Sequence, residues 1–191
     1  MAKFLIALFT VVLMSGCMTG GERVTDFSDR SIGYGWLDIK DIDANRLHSV
    51  VIYQLRPQTE DAYWNVKVVK FEDGYLFYSF AFPQGAFKTY SIAGQRCALV
   101  LCTNTNFEYH FGKQGDDAGA ILVEQPGVYS FGVWKLEEVK TGFFEQGKFD
   151  VKYATKAPSK TAMLNELLKD AEGMDPILGQ RIREEIAKQS P

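Results

Sequence analysis

The chain has 191 residues, of which 46% are hydrophobic, 14% aromatic and 24% charged, and its formal net charge is −3. These fractions exclude a chain that is disordered throughout, and the acidic balance excludes the basic footprint of a nucleic-acid binder. The length suits one domain with enough apolar material for a core of its own.

Lys3 heads an apolar run from Phe4 to Met14, interrupted only by Thr10. The run is shorter than the ~20 residues that a membrane-spanning helix needs, and it has the dimensions of the hydrophobic part of a secretory signal. It ends in Met14-Ser15-Gly16-Cys17, which resembles the lipobox of bacterial lipoproteins, with Met14 where Leu is more usual. The resemblance implies that the Cys17 thiol receives a diacylglycerol, that the leader (1–16) is cut off before it, and that the new amine is acylated. No A-x-A cleavage site competes nearby. Several acyl chains, each worth about 0.8 kcal/mol per buried CH₂, make a firm anchor. The membrane is therefore one expected partner. Met18, not Asp, follows the Cys; by the family's sorting rule this implies the outer membrane, with the domain facing the periplasm or the surface. Without Lys3 the mature chain keeps 20 basic against 24 acidic side chains. Residues 17–30, with Gly20-Gly21 and few apolar side chains, are expected to be a flexible tether.

From 31 to 156 the pattern is that of strands. Ile32–Ile39 is one, interrupted by Gly33 and Gly35. Ser49–Arg56 is a second, stopped by Pro57. Tyr63–Phe71 alternates, with Trp64, Val66 and Val68 on one face. Asp73-Gly74 suits a type I′ hairpin turn leading into Tyr75–Phe82, which carries aromatic residues on both faces and therefore suits a central strand or one between sheet and helices. Ala86–Ala93 follows and is ended by Gly94. Cys97–Thr103 is an apolar run consistent with a strand buried on both faces. Phe107–Phe111 alternates, Gly112–Gly119 is a polar loop, and Ile121–Glu124, Val128–Val139 and Phe149–Ala154 complete the strands. In 157–191 the period changes. Ser159 or Thr161 can cap a helix with Met163, Leu164, Leu167, Leu168 and Ala171 on one face, and Gly173 ends it. Asp175 caps a second helix with Pro176 at its first position and Leu178, Ile182 and Ile186 in line.

Many short strands followed by a helical pair predict a mainly β fold: an antiparallel β-sandwich with a C-terminal helical hairpin, or alternatively a β-barrel. The segment Val123 to Tyr129, with Pro126-Gly127 before Tyr129, resembles the turns of transthyretin-like and other Ig-like β-sandwich modules.

No nucleophile elbow, zinc-helix, P-loop or dinucleotide pattern occurs, so no catalytic residue, cofactor or metal is assigned. His48 and His110 are isolated in sequence. The acidic groups Asp38, Asp41, Asp43 and Asp116, Asp117 lack the spacing of a calcium loop. Cys97 and Cys102 lie about 16 Å apart if they share one straight strand, beyond the ~7 Å that a bridge allows. They pair only if Ala98–Leu101 turns, and that quartet has no turn residue. Two outcomes stay open, a disulfide in an oxidising compartment or two separate thiols. Aromatic residues are concentrated between Trp64 and Tyr90. Trp64, Tyr75, Tyr78 and Tyr90 are the candidates for a ligand surface, with core packing as the competing role.

The preferred function is non-enzymatic: a lipid-anchored envelope module that contacts an envelope protein partner or serves a structural role. The alternative is a ligand-binding lipoprotein that uses an aromatic-lined surface for glycan or an apolar small molecule. An enzyme acting on envelope polymers through carboxylates such as Asp38 or Glu108 ranks third, because no spacing brings two of them together.

Overall fold

The computed structural model describes residues 24–42, 44–58, 62–98, 101–110, 119–139 and 148–189. The leader, Cys17, Asp43, Asp116 and Asp117 lie outside these residues. Period-two runs form β1 (Ser31–Asp41), β2 (Arg46–Arg56), β3 (Tyr63–Asn65), β4 (Lys67–Phe71), β5 (Gly74–Phe82), β6 (Gly85–Ala98), β7 (Leu101–His110), β8 (Ala120–Val123), β9 (Val128–Val139) and β10 (Lys148–Tyr153). Two helices follow, α1 (Lys160–Ala171) and α2 (Pro176–Ala187).

The strands make two open sheets, so the fold is a sandwich and not a closed barrel. The first sheet has the order β10-β9-β1-β5-β4 and the second β3-β2-β6-β7, with β8 also paired to β6. Every described pairing is antiparallel except β1 with β9. That parallel pair starts at the Pro126-Gly127 turn, where Ile32 N–H donates to the Gly127 carbonyl (2.9 Å). The Tyr129 hydroxyl closes the same turn on the Gln125 carbonyl (2.7 Å).

Three layers result, with a core in each gap. Leu37, Ile52, Phe77, Phe82, Phe87 and Phe131 fill the space between the sheets. Tyr34, Trp36, Leu76, Leu164, Leu167 and Ile182 fill the space between the first sheet and the helices. Residues of β1, and of β5 as far as Phe80, point alternately into the two cores, and a register shift between β1 and β5 turns Phe82 into the inter-sheet core. This is why these strands are apolar on both faces. Rings fill much of both gaps and leave no room for a side chain at some backbone positions. A Cβ on Gly35 would lie 2.3 Å from the Phe77 ring.

Helix boundaries follow local chemistry. The Ser159 hydroxyl accepts the Ala162 N–H (3.1 Å) and the Asp175 carboxylate accepts the Ile177 N–H (2.9 Å), each satisfying a free N-terminal amide. Met163, Leu164, Leu167 and Ala171 of α1 and Leu178 and Ile182 of α2 are buried. Each fully buried leucine contributes about 1.5–3 kcal/mol of transfer free energy. Asp170 fixes α1 to the sheet by accepting from the Tyr78 hydroxyl (2.5 Å) and pairing with Lys67.

Several expectations need correction. Tyr63–Phe71 is not one strand: it breaks at Val66, and β3 joins the second sheet while β4 joins the first. Trp64, Val66 and Val68 still face the same inter-sheet core. The hairpin after β4 turns on Glu72-Asp73, with Glu72 at φ 50°, and Gly74 is already strand. Gly74 is there for space, since a Cβ would meet the Trp36 ring at 2.3 Å. Gly94 does not end β6, which runs on to Ala98. The tether stops short of Arg30. Phe27 is 6% exposed in the helix-side core, and the Arg181 guanidinium donates to the carbonyls of Phe27 (2.8 Å), Ser28 (2.6 Å) and Arg30 (2.6 Å).

The run Cys97–Thr103 also folds differently from a straight strand. β6 ends at Ala98 and β7 begins at Leu101, and the two strands run antiparallel; Leu99 and Val100 lie outside the described residues. Backbone register sets Cys97 opposite Cys102.

Candidate functional site

Alternation along β2 buries Val50, Ile52 and Gln54 and leaves Val51, Tyr53 and Leu55 on the outer face of the second sheet. Tyr63 of β3 stands directly opposite Tyr53. On the other side of β2 the register with β6 slips between Val51 and Ile52, whose partners are Ser91 and Thr89. Tyr90 is the extra residue of that bulge. Bulges re-aim side chains, and this one brings the Tyr90 ring beside the other two.

The three rings form a closed triangle. Centroids are 5.0 Å apart for Tyr53 and Tyr63, 5.1 Å for Tyr63 and Tyr90, and 5.9 Å for Tyr53 and Tyr90. Their planes are mutually tilted by 43–68°. Tyr63 is 56% exposed. Its hydroxyl is raised above the ordinary tyrosine value, first by a hydrogen bond with Tyr90 and then by desolvation. Further along the same face, Leu55, Ala86 and Leu122 line a shallow cleft of about 530 Å³ with Arg56, Pro57 and Gln84. Leu55 and Leu122 are both exposed. The helices pack on strands of the first sheet.

A second hollow, of about 560 Å³, opens between the sheets and is lined by Asn45, Arg46, Leu47, His48, Val68, Lys70 and Tyr75. Arg46, His48 and Lys70 are exposed there, and none of the lining residues is acidic. An anionic group entering it would meet cations from both sheets.

The four aromatics singled out in the sequence do not share a surface. The Trp64 ring packs inward on Phe82 (5.8 Å between centroids) and Phe87 (6.3 Å). Tyr75 is buried and donates to the Asn45 carbonyl (3.0 Å). Tyr78 is buried under α1, and burial, with the Asp170 hydrogen bond, pushes its hydroxyl up to about 12. Tyr90 alone of the four belongs to the outward triangle. Tyr53 and Tyr63 complete it. Alternation in Ser49–Arg56 sets Tyr53 on the face opposite Ile52, but the meeting of β3 with β2 leaves no local mark in the sequence. The carboxylates Asp38 and Glu108 belong to strands of different sheets. Asp41 is paired with Lys135 (2.5 Å), and Asp38 accepts the Lys40 N–H (3.0 Å). Among the described residues, no three His, Cys, Asp or Glu side chains gather as a metal site would require, and no helix is long and apolar enough to cross a membrane.

No family model matches the chain, and no curated protein matches it. Among solved structures it is similar to a candidate cell adhesion protein from Bacteroides fragilis, at 7% identity and TM-score 0.36, over 69% of this chain and 48% of that one. It is also similar to a leucine-rich repeat protein from Bacteroides thetaiotaomicron, at 9% identity and TM-score 0.32, over 56% of this chain and 12% of that one. The chain thus spans about half of the first neighbour and about an eighth of the second. Likenesses this remote carry nothing about activity or partners.

Proposed function

We propose that this protein is a lipid-anchored envelope module that acts without catalysis, by docking an envelope protein partner on the outer face of its second sheet. The observation that carries this reading is the outward triangle of Tyr53, Tyr63 and Tyr90, in which Tyr63 is exposed and the other two are half-buried, continued by the exposed Leu55 and Leu122. Tyrosine offers a large ring with a polar tip and few rotamers to lose, and it is enriched at the centres of protein interfaces. Rings tilted by 43–68° offer separate edges and hollows for irregular side chains. A sugar chain that stacks on a platform favours coplanar rings, and so the tilt supports protein over glycan.

The layer order agrees with an anchor at Cys17. The chain enters the folded body on the helix side, where Arg181 holds residues 27–30. The seven residues from Cys17 to Arg23, ahead of Val24, reach about 23 Å when extended. The tyrosine face lies two layers away, at about 10 Å per layer, and would face away from the lipid.

A photo-crosslinking residue introduced at Tyr63 or Leu122 of the full chain in cells should give one discrete protein adduct. The same probe at Met174, on the helix side, should not. The adduct should disappear when Tyr53 and Tyr90 are both changed to Ser. Equal labelling from position 174, or labelling that survives the double change, would end the docking proposal. Loss of the adduct on adding soluble envelope polysaccharide would replace it with the glycan reading. The anchor is tested separately: mass spectrometry of the native amino-terminal peptide should find acylated Cys17.

A further inference from the structure

We propose that Cys97 and Cys102 form a disulfide that staples the end of the β6–β7 hairpin. The inference rests on the envelope location proposed above, because it needs an oxidising compartment, and its geometry is carried by backbone register alone. Cys97 and Cys102 are direct partners on antiparallel strands. Directly opposed residues on such strands have Cα atoms about 4.5 or about 5.5 Å apart, inside the roughly 4.4–6.8 Å that disulfides span. The separation of ~16 Å expected for one straight strand disappears once the chain reverses between them.

The position also explains why a staple would be placed there. Pairing of β6 with β2 ends at Gln95, opposite Arg46. Beyond it, among the described residues, Arg96, Cys97 and Ala98 pair with Thr103, Cys102 and Leu101 of β7 and with no other strand. That is a two-stranded ribbon projecting past the sheet, and such a ribbon is marginal in water by itself. Its connection lacks the glycine or asparagine that favours a tight turn. Leu101, near the tip, is 76% exposed, so the ribbon cannot draw much stability from burying its end. A covalent cross-link restricts the open states of this segment.

The bond forms by thiol–disulfide exchange with an oxidised protein dithiol of the envelope. One thiolate attacks the donor disulfide and a mixed disulfide results. The second thiolate then displaces the donor, which leaves carrying the two electrons and two protons.

The test is peptide mapping of the full chain, isolated from cell envelopes without reductant and alkylated while denatured. Trypsin cleaves after Arg96 and leaves both cysteines in one peptide. Expected is a peptide lighter by two hydrogens than the dithiol form, which takes up alkylating agent only after reduction. Full alkylation of both thiols before reduction, in protein whose leader has been removed, overturns the bridge and leaves the location reading intact. Recovery of the chain from the cytoplasm with its leader intact, in place of the envelope, overturns the location reading. In that case oxidised glutathione is added to the purified chain: closure within the one peptide supports the bridge, and failure to close overturns it. A Cys102→Ser variant supplies the control and should expose one reactive thiol at Cys97.

Discussion

Tyr34 is 1% exposed between the first sheet and the helices, and burial pushes its hydroxyl up to about 12 against a hydrogen bond with Ser130 that lowers it. Tyr34→Phe keeps the ring and removes the titrating group. At neutral pH the variant loses that hydrogen bond and should be about 1 kcal/mol less stable. In alkali the order should reverse. The unfolded tyrosine ionises near pH 10 and the folded one near pH 12. Between these values the unfolded state binds fewer protons, so stability falls as pH rises. At about 1.36 kcal/mol per unit, the unsubstituted protein loses about 1.4 kcal/mol through Tyr34 by about pH 11, approaching about 2.7 kcal/mol beyond pH 12, and loses almost nothing below about pH 9. The variant is spared this loss. The two stabilities should therefore meet near pH 11 and cross above it. Urea unfolding followed by tryptophan fluorescence, in steps from neutral pH to about 12, measures the difference. A gap that stays constant over the whole range would refute the claim that this hydroxyl is buried and neutral.

Leu167→Ala removes a side chain that is 0% exposed in the helix-side core and should lower unfolding free energy by about 2–5 kcal/mol in the same assay. Arg181→Ala removes the donor that holds three carbonyls between Phe27 and Arg30; limited proteolysis should then cut within 24–30 much faster while the strands stay protected. Asp170 is held below its ordinary value first by Lys67 and then by Tyr78, so it stabilises the helix-side layer above the usual carboxylate range and stops doing so as pH falls through its folded value. The stability gap between the unsubstituted protein and Asp170→Asn should accordingly narrow in acid, and a gap that widens there would contradict the network.

Much of the architecture is legible from neighbours in the chain. Ser159 and Asp175 announce their helices because a cap is a contact over two or three residues. Tyr75–Phe82 reveals burial on both faces because a strand's two sides are read by alternation, and the layer beneath α1 explains both. Pro126-Gly127 before Tyr129 announces its turn for the same local reason. The tyrosine triangle is different: Tyr90 was visible as one of several rings, while Tyr53 and Tyr63 join it only through strand pairing and a bulge.

Composition, alternation and caps thus determine by themselves that this chain makes short strands, that two amphipathic helices close it, and that its first residues resemble a lipoprotein leader. These properties depend on residues within a few positions of one another. Which sheet each strand enters is decided by partners far along the chain. That is why Tyr63–Phe71 divides between two sheets at Val66, and why Gly74 is needed for the Trp36 ring and not for a turn. It is also why two cysteines five positions apart come to face each other across a hairpin. Those outcomes follow from filling two cores at once, a condition that no local stretch of sequence contains.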